Sequence, residues 1–218
     1  MAPQCRISAR PARRLSPISP PQPQRPWPDR PIAEIHGADS IHDTRRTYNP
    51  MLEALPTHFE YLGNAQDYAA DIHEIFGNAP LFEPLDLAET TLLCNFMAVY
   101  SAHTNTTLLH QGESPAYMII LLTGAARAVR VAPDGRRTWL HGLQPGGTFG
   151  ELAMLDNEPL RASCVSTEPV DFVVLSRDAF RDVLLTLPRL GNKLLMLFLR
   201  STSERLQLAE SFLPESVG

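Results

Sequence analysis

Glu151 and Arg161 fall in one run, Phe149-Gly150-Glu151-Leu152-Ala153-Met154-Leu155, Asp156-Asn157-Glu158-Pro159-Leu160, Arg161-Ala162-Ser163-Cys164-Val165. Gly150 lets the backbone turn closely, and Glu151 to Met154 can make one short helical turn whose free N–H groups point at whatever lies in front of them. Such a turn favours an anion. Arg161, expected at the start of the following strand, can return to the same point and add a two-pronged, permanently charged donor that matches phosphate oxygens. Glu151 is then an acceptor beside an anion site, which makes sense only if the ligand also brings a hydroxyl donor, as a ribose does. A phosphate and a sugar hydroxyl together point to a nucleotide. The bland alternative is that Glu151 and Arg161 pair with each other and line an empty pocket.

Other chemistry is poorly provided for. His103, His110 and His141 sit at expected strand ends without H-E-x-x-H or comparable ligand spacing, and read as surface or satisfied histidines, so no metal is expected. Ser163 and Ser166 lack a G-x-S-x-G elbow, and Cys164 on a strand reads as core. Lys193 is the only lysine and is followed by Leu, which removes the Gly-Lys-Ser/Thr of a P-loop. Cys5, Cys94 and Cys164 are odd in number and contain no C-x-x-C pair, which disfavours a disulfide framework or structural zinc and fits a reducing, cytoplasmic setting. No catalytic residue and no cofactor is expected.

The elements that must position these residues follow from periodicity. Tyr68, Ile72, Ile75 and Phe76 have helical spacing, with Gly77 where a C-terminal cap would sit. A second helix is expected over Asp86 to Cys94, with Asp86 as N-cap and Leu87, Leu92 and Leu93 turned to a core. Apolar runs at 96–100, 117–122, 126–131, 138–143, 162–165 and 170–175 are separated by Gly112, Gly124, Pro133-Asp134-Gly135, Pro145-Gly146-Gly147 and Glu168-Pro169. Short strands at this spacing predict an antiparallel sandwich or barrel, with a hairpin at Pro133-Asp134-Gly135. From Arg177 to Leu187 the period returns to 3.6, presenting Phe180, Val183, Leu184 and Leu187 until Pro188 interrupts. A longer helix is expected from about Arg189 to Phe212, stopped by Pro214. Its segment Leu194 to Leu199 is apolar all round, so one side belongs on the barrel and another needs a partner. Through Leu190, Leu194, Leu197 and Phe198 it is expected to form a twofold homodimer.

The 218 residues are 44% hydrophobic and 20% charged, enough for one domain of ordinary size, and no apolar stretch approaches the roughly 20 residues that cross a bilayer. The reading is a soluble protein without a membrane partner. The net charge of 19 − 24 = −5 lacks the basic excess of a nucleic-acid binder. Ten of the 20 prolines lie in residues 1–50, a stretch of 8 − 4 = +4, leaving 11 − 20 = −9 for the rest. Residues 1–50 therefore read as a disordered Pro/Arg-rich tail, 51–95 as an N-terminal helical segment, 96–175 as the β-roll and 176–213 as C-terminal helices. The prolines break the amphipathic helix of a transit peptide, no secretory apolar segment is present, and a tail without function is preferred to a nucleic-acid or membrane arm.

In its ordered sequence of motifs the chain resembles the cyclic nucleotide-binding domain family, shared by catabolite-activator-type regulators, kinase regulatory subunits and nucleotide-gated channels. The resemblance spans about residues 78–210: Gln111-Gly112-Glu113, Ala116-Tyr117-Met118-Ile119 before Leu122-Thr123-Gly124, Asp134-Gly135, Pro145-Gly146, and the phosphate-binding cassette Phe149-Gly150-Glu151-Leu152-Ala153 with Arg161-Ala162. It implies an antiparallel jelly-roll barrel flanked by N-terminal helices and a long C-terminal helix. It implies that Glu151 holds the ribose 2′-hydroxyl, that Arg161 holds the phosphate oxygens, and that the amides of Leu152, Ala153 and Ala162 complete the cradle, with Gly150 and Ser163 also among the ligand-binding residues. Ser201, Thr202 and Arg205 on the long helix would cap the base. The chain departs from the family pattern where Gly146-Gly147 replaces a common Gly-Asp and where Leu160 separates Pro159 from Arg161. Ala162 has no hydroxyl where Thr or Ser favours guanine, so cyclic AMP is preferred to cyclic GMP.

Three functions follow as expectations. The first is a cyclic-nucleotide sensor that signals to an unknown downstream protein through movement of the long helix. The second is a relative of catabolite-activator-type transcription regulators, for which the six residues after Phe212 are too few to supply a DNA-recognition helix. The third is a degenerate, non-binding domain used for protein–protein contact.

Overall fold

The computed structural model describes residue 55 and residues 58–211, with side chains through Ser203. The expectations for the tail 1–50, Cys5, the Arg205 side chain, Phe212 and Pro214 lie outside the described residues.

Among the described residues nine strands form two antiparallel sheets. Strands β1 (Glu60–Asn64), β2 (Met97–Ala102), β4 (Tyr117–Leu121), β7 (Thr148–Phe149) and β9 (Val170–Ser176) make the first, in the order β1-β2-β9-β4-β7; β3 (Thr107–Leu109), β5 (Ala126–Val131), β6 (Arg137–Leu143) and β8 (Ser163–Ser166) make the second, in the order β3-β8-β5-β6. The β-roll expected from the turn signals is present. Strict alternation explains how the sheets face each other: Ala98 and Tyr100, Ile119 and Leu121, Phe172 and Val174 meet Leu108, Ala126, Ala128 and Cys164 in one core. The intervening residues Met97, Val99, Met118, Ile120, Val173 and Leu175 are equally buried. The first sheet is therefore covered on both faces, the outer one by helices, which is why its strands read as continuous apolar runs.

Helices α1 (Ala69–Gly77) and α2 (Leu87–Cys94) precede β2. Asp86 caps α2 through a reciprocal pair of bonds: the Glu89 N–H donates to its carboxylate at 2.8 Å, and its own N–H donates to Glu89 Oε2 at 3.1 Å. Two expectations for this region are corrected. Gly77 is the last helical residue and Asn78 ends the helix in a right-handed conformation, so no left-handed glycine cap forms. In α2 the buried residues are Thr90, Leu93 and Cys94, while Leu87 and Leu92 face solvent. The segment 51–95, expected as a helical segment, also contains β1, which pairs antiparallel with β2.

The hairpin β5–β6 turns at Pro133-Asp134-Gly135, where Gly135 takes a φ of 83° and the Ala132 N–H donates to the Arg136 carbonyl at 2.9 Å. Between β7 and β8 lies the short helix α3 (Glu151–Asp156), packed against β4. After β9 come α4 (Arg177–Thr186), one residue shorter than expected, and α5 (Pro188–Ser211), which begins on its proline because that position needs no N–H donor. Gly191 lets α5 lie against α4: a Cβ there would stand 2.8 Å from Leu184 Cδ2 and 2.9 Å from Leu184 Cα.

The face of α5 that was assigned to a homodimer is corrected. Leu190, Leu194, Leu197 and Phe198 are buried within a single chain, Phe198 with its ring 5.9 Å from Phe180. Among the described side chains of α5, the large apolar residues left at the surface are Met196, 66% exposed, and Leu199, 62% exposed. No helix among the described residues is long and apolar enough to cross a membrane.

Candidate functional site

The segment from Phe149 to Ala162 folds around a cavity of about 490 Å³, within the range of small-molecule sites. Its walls include Gly150, Glu151, Leu152, Ala153, Arg161 and Ala162. Six of the seven residues expected to bind a ligand are thereby brought to one place by local chain geometry.

Gly150 starts the arrangement. It is the N-cap of α3 with a φ of 91°, a left-handed conformation that side chains resist. A Cβ there would also approach Leu109 Cδ1 to 2.9 Å and the Tyr117 carbonyl to 3.3 Å, so the turn lies tight on β3 and β4. Glu151 follows as the first residue of α3 and is 2% exposed. A carboxylate taken this far from water is costly without polar partners. Arg161 faces solvent at the cavity wall, two residues before β8 rather than at its first position. Glu151 has an interaction partner of its own, and none of the ion pairs Arg136–Asp134, Arg181–Asp178 and Lys193–Glu89 joins it to Arg161. The reading in which these two groups neutralise each other is not the arrangement seen.

The extra residue between Pro159 and Arg161 has a structural place. Leu160 packs on the core, its N–H donates to the Glu113 carbonyl at 2.8 Å, and its carbonyl accepts from the Gly112 N–H at 2.8 Å. The departure from the family spacing is absorbed by a pair of backbone bonds, leaving Arg161 beyond it at the cavity.

Not every expected residue reaches the site. Ser163 is absent from the cavity wall, and its Oγ accepts the Gln111 N–H at 2.9 Å, so its hydroxyl ties β8 to the turn after β3. Ser201 and Thr202 are also absent from the wall; the Thr202 hydroxyl donates to the Phe198 and Leu199 carbonyls of its own helix, both at 2.9 Å. Conversely, Asp156 and Glu158 line the cavity and were not anticipated. Asp156 Oδ1 accepts the Glu158 N–H at 2.9 Å, shaping the turn that returns the chain to Arg161. Their signal was only their place inside the loop. Among the described residues no group of three or more His, Cys, Asp or Glu could hold a metal ion. Cys164 is buried in the core, and burial pushes its thiol up to about 12, which leaves it unsuited to act as a nucleophile.

The arrangement can therefore hold an anion at a helix start and a guanidinium, with a buried carboxylate to accept from a neighbouring hydroxyl. Residues 100–186 match the family model described as cyclic nucleotide-binding domain. A solved cyclic nucleotide-binding domain from Methylobacillus flagellatus KT is 31% identical and superposes with a TM-score of 0.66, covering 81% of this chain and 98% of its own. The CRP-like cAMP-activated global transcriptional regulator of Mycobacterium tuberculosis (strain ATCC 25618 / H37Rv) is 28% identical over 127 residues, 58% of this chain and 57% of the regulator. A cAMP-dependent protein kinase regulatory subunit of Emericella nidulans is 36% identical over 86 residues, 36% of this chain and 21% of the subunit. The chain thus spans less than two thirds of these curated relatives, both of which are regulators by name.

Proposed function

The chain belongs to the cyclic nucleotide-binding domain family, and from that premise we propose that it is a non-catalytic, cytoplasmic regulatory protein that binds cyclic AMP in the cavity at residues 149–162. The observation that carries this reading is the co-location of buried Glu151, the Gly150 turn and Arg161 around one cavity of nucleotide size. Arg161 spans two phosphate oxygens, the first N–H groups of α3 receive the same charge, and Glu151 accepts from the ribose 2′-hydroxyl. Ala162 leaves the base without the hydroxyl that would favour guanine. The readout is movement of α4 and α5, felt by a downstream protein or by a second copy of the chain joined along α5.

Calorimetry with cyclic AMP, cyclic GMP and 2′-deoxy cyclic AMP tests the reading. A charge-assisted hydrogen bond contributes about 1.5 to 3 kcal/mol, so Arg161→Ala is expected to weaken cyclic AMP roughly 10- to 150-fold, with partial recovery in Arg161→Lys. Glu151→Gln is expected to weaken cyclic AMP while scarcely changing the 2′-deoxy analogue. If neither cyclic AMP nor cyclic GMP binds the wild-type protein at millimolar concentration, the sensor reading falls and a scaffold without ligand replaces it.

A further inference from the structure

Helix α3 is six residues long, so most of its carbonyls lie among the last four that a helix leaves without internal partners. Arg177 supplies donors to them. Its Nε donates to the Met154 carbonyl at 2.5 Å, and its Nη2 donates to the Ala153 carbonyl at 3.2 Å and to Asn157 Oδ1 at 3.1 Å. Asn157, in a left-handed conformation with a φ of 63°, closes the same end by donating its N–H to the Ala153 carbonyl at 3.0 Å. A fixed positive charge therefore sits on the negative end of the helix whose other end, Gly150 and Glu151, forms the cavity wall.

Arg177 is also the first residue of α4. Its backbone N–H donates to the Ala116 carbonyl at 2.7 Å, beside the start of β4, and the preceding Ser176 caps α4 by accepting the Ala179 N–H at 3.1 Å. Helix α4 lies on α5 through Phe180, Phe198 and the close approach at Gly191. Helix α5 is tied in turn to α2, because Lys193 Nζ pairs with Glu89 Oε2 at 2.5 Å. The contacts run without a gap from the cavity wall to the N-terminal helices.

Resting on the nucleotide-binding reading, we infer that Arg177 is a positioning residue with two tasks: it holds α3 in the shape that forms the cavity, and it makes α4 and α5 follow α3 when a nucleotide binds. The planar guanidinium can grip two carbonyls and an amide oxygen at once, so a displacement of α3 moves the first turn of α4 with it. The ammonium of a lysine, a point charge, can follow only part of that surface.

The test uses the full chain, with cyclic AMP as the added nucleotide and two readouts. Hydrogen exchange of the α3 amides is measured without nucleotide, and the labelling rate of Lys193, the only lysine, is measured by peptide mapping with and without saturating cyclic AMP. Arg177→Gln is expected to speed α3 exchange by about tenfold. It is also expected to bind cyclic AMP at saturation with no change in Lys193 labelling, where the wild-type rate does change. Arg177→Lys is expected to recover part of both effects, and it keeps the test usable if Arg177→Gln does not fold. Unchanged α3 exchange in the variants, or the same Lys193 response in wild type and Arg177→Gln, overturns the inference. Failure of wild type to bind cyclic AMP overturns the nucleotide reading and the coupling with it; binding with an unaltered Lys193 response overturns the coupling alone.

Discussion

The side chain of Gln111 stands beside Val131 as a strand would: its Nε2 donates to the Val131 carbonyl at 2.9 Å, and the Val131 N–H donates to its Oε1 at 2.7 Å. Val131 ends β5 beyond the reach of β8, whose pairing with β5 stops at Val129 and Ser163. One amide thus completes the sheet and fastens the turn whose Gly112 and Glu113 hold Leu160 of the cavity loop. Gln111→Ala is expected to cost about 1 to 2 kcal/mol, two exposed hydrogen bonds. Gln111→Glu, which loses the donor and sets a carboxylate against a carbonyl, is expected to cost about as much. A shift in urea midpoint at unchanged slope is the measurement; wild-type midpoints in both variants would show the pairing to be energetically idle.

Gly150 has a second sensitivity, at the other end of the loop. With its φ of 91° and Leu109 Cδ1 in the path of a Cβ, Gly150→Ala must strain the backbone and displace buried Leu109. The expected loss is about 1 to 3 kcal/mol of stability. Because the same residue aims the first N–H groups of α3, cyclic AMP affinity should fall further than in a variant of equal instability remote from the loop. Thermal melts and calorimetry on Gly150→Ala beside such a control decide it.

Tyr100 lies in the core with its ring 6.1 Å from Phe172, and among the described residues its hydroxyl has no hydrogen-bond partner. A buried hydroxyl without a partner has lost its water and gained nothing in return. Tyr100→Phe is therefore expected to raise stability by up to about 1 kcal/mol, seen as a higher melting temperature. A loss of stability would contradict the unpaired state.

Burial pushes the Tyr100 and Tyr117 phenols from 10.0, and the Cys94 and Cys164 thiols from 9.0, up to about 12. The raised values mean that the folded state keeps these protons longer than the unfolded state, so their contribution is complete below the unfolded values and is lost as pH climbs toward the folded ones. Melting temperature should hold through neutral pH and decline from about pH 9 toward pH 12. Cys164→Ala should lower the melting temperature at neutral pH by leaving a small cavity, yet make the alkaline decline shallower. An unchanged slope would remove Cys164 from the account.

Much of this architecture is legible in the amino-acid sequence, for reasons that differ by element. Strands β4 and β9 are apolar on both faces between clear turns, so their runs are unmistakable, and Asp86 is readable as an N-cap, while the return bond from Glu89 appears only in the structure. Strands β3 and β7 have three and two residues, too few for any alternation to register, and β1 is interrupted at Gly63. In α2 three leucines suggest the buried stripe, but the helix turns Thr90, Leu93 and Cys94 inward and leaves Leu87 and Leu92 exposed, so a threonine and a cysteine take places that hydrophobicity alone gives to leucine. Within the site, Glu151 and Arg161 were legible because one loop carries both. Arg177 was not, since its bonds to Ala153 and Met154 join elements separated by β8 and β9, and nothing in local spacing signals a guanidinium reaching that far.

Helix α5 separates two effects that its sequence merges. Leu194 is fully buried inside one chain, so Leu194→Ala should cost about 2 to 5 kcal/mol whether or not the protein associates. Met196 and Leu199 remain at the surface of the same helix, three residues apart and hence on one face. If α5 joins two copies as proposed, that face is the contact. Met196→Glu and Leu199→Glu should then leave the unfolding free energy of the monomer within about 0.5 kcal/mol of wild type while reducing self-association in light scattering. Placing both carboxylates on the face should abolish it, because a twofold contact repeats each charge against its own copy. A wild-type protein that stays monomeric at high micromolar concentration, with and without cyclic AMP, would rule out the twofold contact and leave Met196 and Leu199 as the surface open to a different protein.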